Sequence, residues 1–254
     1  MKILALGDVV GQGAVEYLQS KLRTFKRNNG IDLAVVNGEN SAKIGGIDPQ
    51  SANALLDAGA DVITTGNHVY KIGAVYDYLD TSDCVIRPAN FPKTCTGKGY
   101  TVVDMGYARV LVINVLGVVT LEPLACPFET VDRILEAEKG NYNISVLDVH
   151  AEATSEKAAI ARYFDGRVNV VFGTHTHVQT NDARILPNGT GFITDLGMCG
   201  PKDSILGVKS EIIIEKLRFH IPKRFEHAEG EIEATGAIFT VENGKTTAVT
   251  AVRF

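Results

Sequence analysis

The chain has 254 residues, a formal net charge of −5, 45% hydrophobic and 22% charged residues. That composition excludes a disordered or fibrous protein and supplies enough apolar material for a sizeable core, read as a single domain over residues 1–254. The acidic balance argues against a broad surface for duplex nucleic acid, and no apolar run approaches the roughly 20 residues of a membrane span. The apolar stretch at residues 3–6 is too short for a signal peptide, so a cytoplasmic chain is expected. Cys84, Cys95, Cys126 and Cys199 form no C-x-x-C pair and read as free thiols rather than a zinc-thiolate site.

Residues 3–6 read as the first buried strand. Residues 13–29 carry Val15, Leu18, Leu22 and Phe25 on one helical face, and Gly30 stands where a left-handed glycine ends a helix. Residues 33–36 are the second strand. Asp48-Pro49 sets an N-cap before proline at the first helical position, and that helix stops at Gly59. Residues 62–65 form the third strand, 69–79 a helix and 85–86 a short strand. Residues 102–103 and 110–115 read as an antiparallel pair turning near Gly106. A helix over 128–139 follows Pro127, a strand covers 144–149, a helix capped by Thr154 covers 155–164, and a strand covers 168–172. Beyond Gly191, residues 193–194, 212–214 and 237–254 read as antiparallel β-structure, with Asn243-Gly244 as a hairpin turn. The alternation predicts an α/β fold with a mixed sheet or two packed sheets covered by helices.

The polar residues that follow the strands are more informative. Five apolar runs end in potential metal ligands: Gly7 leads to Asp8, Gly38 to Glu39-Asn40, Gly66 to Asn67-His68, Val149 to His150, and Gly173 to His175-Thr176-His177. Ligands of open α/β sheets bind beyond the carboxyl ends of parallel strands, so these ends are expected on one rim. Glycine beside a ligand allows a sharp turn and a close approach to an ion or phosphate. Asp, Glu, Asn and His supply oxygen and nitrogen without sulfur, which suits manganese, iron or zinc. Seven donors are too many for one tetrahedral ion and suit two that share a carboxylate. Taken singly, Asp8 is also a turn residue, Asn67-His68 an Asx turn and His150 a core histidine. His175 and His177, two apart in a strand, would share a face. His220 and His227 read as solvated surface residues. Tyr70 and Phe128 near strand-end loops read first as packing residues, with stacking on a base as the lesser alternative. The loop 41–47, with Gly45-Gly46, is either a lip over the site or a plain connection.

These motifs resemble those of the calcineurin-like metallophosphoesterases, and within them the YmdB-like branch of bacterial phosphodiesterases. The matching pieces are Gly7-Asp8-Val9-Val10-Gly11, Asn37-Gly38-Glu39-Asn40, Gly66-Asn67-His68, His150, Gly173-Thr174-His175-Thr176-His177, and Asp195-Leu196-Gly197-Met198 followed by Gly200-Pro201. They span essentially the whole chain. Val10 stands where the superfamily has a histidine, and Glu39 where it has an aspartate. The resemblance implies a four-layer αββα sandwich, two mixed β-sheets flanked by helices. It implies two divalent or mixed-valence metal ions, iron or manganese before zinc. One would be held by Asp8, Glu39, Asn40 and His177, the other by Glu39, Asn67, His150 and His175, with Glu39 bridging. It implies phosphodiester hydrolysis, with cyclic nucleotides such as 2′,3′-cyclic AMP favoured, a metal-bridging hydroxide as nucleophile and His68 as general acid. A metal-binding regulatory or scaffold protein with little turnover, and a phosphomonoesterase, are the competing readings. The partner expected is a small phosphodiester, and a homo-oligomer is compatible with the chain.

Overall fold

The computed structural model describes residues 1–43 and 45–254; Ile44, within the loop 41–47 read as either a lip or a plain connection, lies outside the described residues. In chain order the elements are Lys2–Leu6 (β1), Asp8–Val9 (β2), Gly11–Asn29 (α1), Leu33–Asn37 (β3), Pro49–Ala58 (α2), Val62–Thr64 (β4) and Val75–Thr81 (α3). Tyr100–Asp104 (β5), Arg109–Leu116 (β6), Pro127–Ala137 (α4), Ile144–His150 (β7), Thr154–Tyr163 (α5) and Val170–Thr174 (β8) follow. The last third holds Arg184–Ile185 (β9), Gly191–Ile193 (β10), Met198–Pro201 (β11), Ser210–Phe219 (α6), Ile232–Glu242 (β12) and Lys245–Arg253 (β13).

Local chemistry accounts for several boundaries. α1 ends at Gly30, whose φ of 63° is left-handed. α2 begins with a capping box: Asp48 Oδ1 accepts from Ser51 N at 2.7 Å, and the Asp48 N–H donates to Ser51 Oγ at 3.2 Å. Asn243 and Gly244, with φ of 50° and 74°, make the two-residue turn between β12 and β13.

Two sheets stack face to face. The first runs β2-β11-β12-β1-β3-β4, with β13 along the free side of β12; the second runs β5-β6-β7-β8-β10-β9. β1, β3 and β4 are parallel, as are β6, β7 and β8. Alternation along the strands sorts side chains between layers. Leu4, Leu6, Ala34 and Val36 face α1 and α2, whereas Ile3, Ala5, Leu33 and Val35 meet Val110, Val146, Val170 and Phe172 of the second sheet. Leu111, Ile113, Leu147 and Val149 face Val131 of α4 and Ile160 of α5. The result is the four-layer αββα sandwich that the resemblance implied.

Four local expectations are corrected. The helix expected over 69–79 starts only at Val75, because residues 67–74 form tight turns such as Val69 N to Gly66 O and Lys71 N to His68 O. Residues 212–214 lie in α6, not in a strand; three consecutive isoleucines raise β-propensity, but the flanking segment winds as a helix. Thr154 is the first helical residue of α5, and Ala153 is its N-cap, with no side-chain cap. β10 runs parallel to β8 and antiparallel only to β9. The cysteines are free, with Cys199 buried. Among the described residues, no helix is long and apolar enough to cross a membrane.

Candidate metal centre

The five strand-end motifs meet at the carboxyl ends of the parallel strands of both sheets. Asp8 follows β1, Glu39 and Asn40 follow β3, Asn67 and His68 follow β4, His150 closes β7, and His175 and His177 follow β8. Glu39 Oε1 lies 3.3 Å from His150 Nε2, 3.1 Å from His68 Nδ1 and 3.2 Å from Asn40 Nδ2. His150 Nε2 is also 3.1 Å from His175 Nδ1 and 3.2 Å from Asn67 Oδ1. Asp8 Oδ1 is 3.6 Å from His177 Nε2, which is 3.4 Å from Asn40 Nδ2. Ligand atoms of Glu39, His150 and His175 fall within 4.8 Å of one another. All eight residues singled out in the sequence therefore share one cluster.

The chain geometry that delivers the two histidines of the last motif differs from a strand. β8 ends at Thr174, and His175 and His177 adopt φ of 97° and 63°. Such left-handed non-glycine backbone is strained and needs surrounding support. The His175 N–H donates to Asp8 Oδ2 at 3.0 Å, and His177 Nδ1 donates to Leu206 O at 3.0 Å, turning Nε2 toward the cluster. Beneath the loop a buried ion pair joins Lys157 Nζ to Asp195 Oδ2 at 2.6 Å. That carboxylate also accepts from Thr176 N at 3.2 Å and Gly197 N at 2.9 Å.

The glycines have a steric reason. A Cβ on Gly66 would lie 2.2 Å from both Glu39 Oε2 and His150 Nε2. A Cβ on Gly173 would lie 2.0 Å from Thr194 O.

The donor set fits a metal. Asp8 is fully buried, yet its Oδ1 has no hydrogen-bond partner among the described residues, an orphan that a cation would satisfy. Burial pushes Asp8 and Glu39 upward. Nearby imidazoles outweigh it, His177 and His150 holding Asp8 below the usual carboxylate range and His150 and His68 holding Glu39 well below it. Burial pulls His150 down, but Glu39, Asp8 and Asp148 carry it up to about 9. Burial, with His150 alongside, pushes His175 down to about 4. The surrounding carboxylates thus favour positive charge at His150, which a divalent ion would supply.

Some supporting residues carried no separate signal in the sequence. Asp148, buried inside an apolar strand, accepts from Thr64 Oγ1 at 2.5 Å, Thr174 Oγ1 at 2.8 Å and Asn37 Nδ2 at 3.1 Å. Burial pushes its carboxyl up to about 6. A lone carboxylate among valines was the clue available. One expectation fails. His227 is not a solvated surface residue: it is half-buried, pairs with Val208 across an isolated antiparallel bridge, and lines the cavity over the cluster. Tyr70 and Phe128 take the favoured packing role and do not line that cavity. Tyr70 packs edge-on against Phe91 and Tyr76 and donates to Thr96 O at 2.6 Å, and Phe128 packs against Tyr163.

A family model for YmdB-like proteins matches residues 4–253. The chain belongs to that family. This YmdB-like protein is 40% identical over 243 residues to the 2′,3′-cyclic-nucleotide 2′-phosphodiesterase of Bacillus subtilis, covering 96% of this chain and 92% of that one. Two solved structures superpose over 100% of it. A hypothetical protein of Thermus thermophilus, 99% covered, gives a TM-score of 0.94 at 37% identity. A novel phosphatase of Mycoplasma pneumoniae, 93% covered, gives 0.93 at 31%.

Proposed function

We propose that this YmdB-like protein is a two-metal phosphodiesterase, with 2′,3′-cyclic nucleotides as its substrate class. The observation that carries the reading is the convergence of Asp8, Glu39, Asn40, Asn67, His150, His175 and His177 in one cluster that includes the orphaned Asp8 Oδ1. Asp8, Glu39, Asn40 and His177 would hold one ion; Glu39, Asn67, His150 and His175 the other. Iron or manganese suits these donors, with zinc next. When bound, such a pair supplies Lewis acidity and activates water for attack on phosphorus.

The chain's own residues do the rest. Thr174 Oγ1, 2.9 Å from His150 Nδ1, fixes that ring so that Nε2 meets Glu39. His68 is anchored through its backbone N–H to Glu39 Oε2 at 3.1 Å, and its Nδ1 lies 3.1 Å from Asn40 Oδ1. Nε2 of the same ring is left for the cavity, which His68 lines. From there it donates a proton to the leaving alkoxide, a role typically contributing about 10²–10⁴-fold. The name of the Bacillus relative supports the cyclic-nucleotide class.

The test uses protein reconstituted with Mn²⁺ or Fe²⁺ under reducing conditions and offered bis-p-nitrophenyl phosphate and p-nitrophenyl phosphate. Diester turnover that disappears on chelation is expected. Metal binding with no turnover of either compound would favour a scaffold. Preferred turnover of the monoester would favour a phosphatase, the description given to the Mycoplasma neighbour.

A further inference from the structure

The cavity over the cluster has a volume of about 560 Å³, inside the roughly 300–1,000 Å³ of small-molecule sites. Its lining combines two kinds of chemistry. Glu39, Asn40, His68, His175 and His177 of the cluster line it, with Lys43 and Lys71 beside them. Its apolar lining is Val10, Ile205, Leu206, Val208, Ile213 and Phe225. All of these except Val10 come from the excursion between β11 and β12.

That excursion is built as a cover rather than as core. α6 has no buried residue. The two ends of the excursion are laced together: Lys209 N donates to Glu226 O at 3.0 Å, and Ala228 N to Gly207 O at 2.9 Å. This lacing holds Phe225 at the cavity edge, 49% exposed. The Lys216 ammonium lies over its ring, 4.4 Å from the centroid, which limits the ring's freedom. What distinguishes Phe225 from the other exposed aromatics of the excursion, such as Phe219, is that it lines the same cavity as the cluster.

We propose that this wall is the nucleobase subsite, with Phe225 as the stacking surface for the base of a nucleotide whose phosphate sits on the cluster. The inference rests on the phosphodiesterase reading above and adds the residue that selects nucleotides over bare diesters. A nucleotide is anionic at phosphorus and flat and apolar at the base, and the cavity lining holds groups suited to both. Stacking on a side chain tolerates any base, so the subsite discriminates the presence of a base more than its identity.

The experiment reads equilibrium binding, independent of turnover. Metal-loaded protein is titrated calorimetrically with adenosine 3′-phosphate and, separately, with inorganic phosphate. Phe225→Ala is expected to weaken the nucleotide about tenfold, the scale of one base–aromatic stack, and to leave phosphate unchanged. Phe225→Tyr should restore wild-type nucleotide binding, and Phe219→Ala, an exposed aromatic outside the cavity, should bind like wild type. Equal weakening of both ligands, or of neither, would overturn the subsite. Absence of diester turnover alongside a Phe225-dependent affinity would instead remove the phosphodiesterase reading and leave the subsite standing.

Discussion

Asp148 and His150, two residues apart on β7, are joined through a third side chain: Thr174 Oγ1 donates to Asp148 Oδ1 at 2.8 Å and lies 2.9 Å from His150 Nδ1. The imidazole is thereby oriented from behind by a carboxylate that never reaches the cavity.

Replacing Asp148 by alanine strands Thr64, Thr174 and Asn37 at once. Unfolding free energy should drop by about 3 kcal/mol, the scale for buried polar groups left unpaired. Metal affinity should drop about 10–100-fold, as when an orienting partner is lost. Urea unfolding and metal titration measure the two; unchanged affinity would show that His150 needs no orientation from Asp148.

His68→Ala should retain full metal content while losing about 10²–10⁴ in diester kcat. Elemental analysis beside kinetics decides it. Equal loss of metal and activity would make His68 a ligand instead of an acid.

Chelated protein should lose stability as the solution becomes alkaline. His150 rises to about 9 in the folded chain, against about 6.5 when unfolded. Its contribution is complete below pH about 6.5 and is lost as pH climbs through about 9. Urea midpoints at pH about 6.5 and about 9.5 should differ, and His150→Gln should remove most of the difference. Identical midpoints in the wild type would argue that the imidazole is neutral throughout.

Gly66→Ala should abolish metal binding. The new methyl would overlap Glu39 Oε2 and His150 Nε2, two groups that have to face the same ion. Retained stoichiometric metal would mean that the β4 turn yields easily.

Lys157→Met leaves the Asp195 carboxylate buried beneath the His175–His177 loop without its counter-charge. Breaking one side of such a pair typically costs about 3–5 kcal/mol. Thermal unfolding should register that loss, and a drop near zero would place water at Asp195.

The sequence was legible wherever chemistry repeats locally. Apolar runs ending in Gly-ligand pairs marked the rim, and Asp48-Pro49, Gly30 and Asn243-Gly244 marked boundaries that coincide with the caps and turn observed. One expectation reached the right place by the wrong route, and another was overturned. His175 and His177 do share the cluster, yet through left-handed backbone outside β8, not through strand alternation. The isoleucines at 212–214 carry the composition of a strand but wind into a helix that covers a cavity. His227 could not be read at all, because its place depends on a bridge to Val208 formed by tertiary folding.

The backbone around Asp8 is held from the far end of the polypeptide: Gly7 N donates to Thr235 O at 3.0 Å and Asp8 N to Gly197 O at 3.1 Å. All the proposed ligand side chains have been translated by residue 177, but the peptide that carries the first of them is not fully clamped until Thr235 of the closing hairpin arrives. Chains still on the ribosome therefore lack the finished cluster, and a truncated product that keeps every one of these side chains is expected to leave them unassembled.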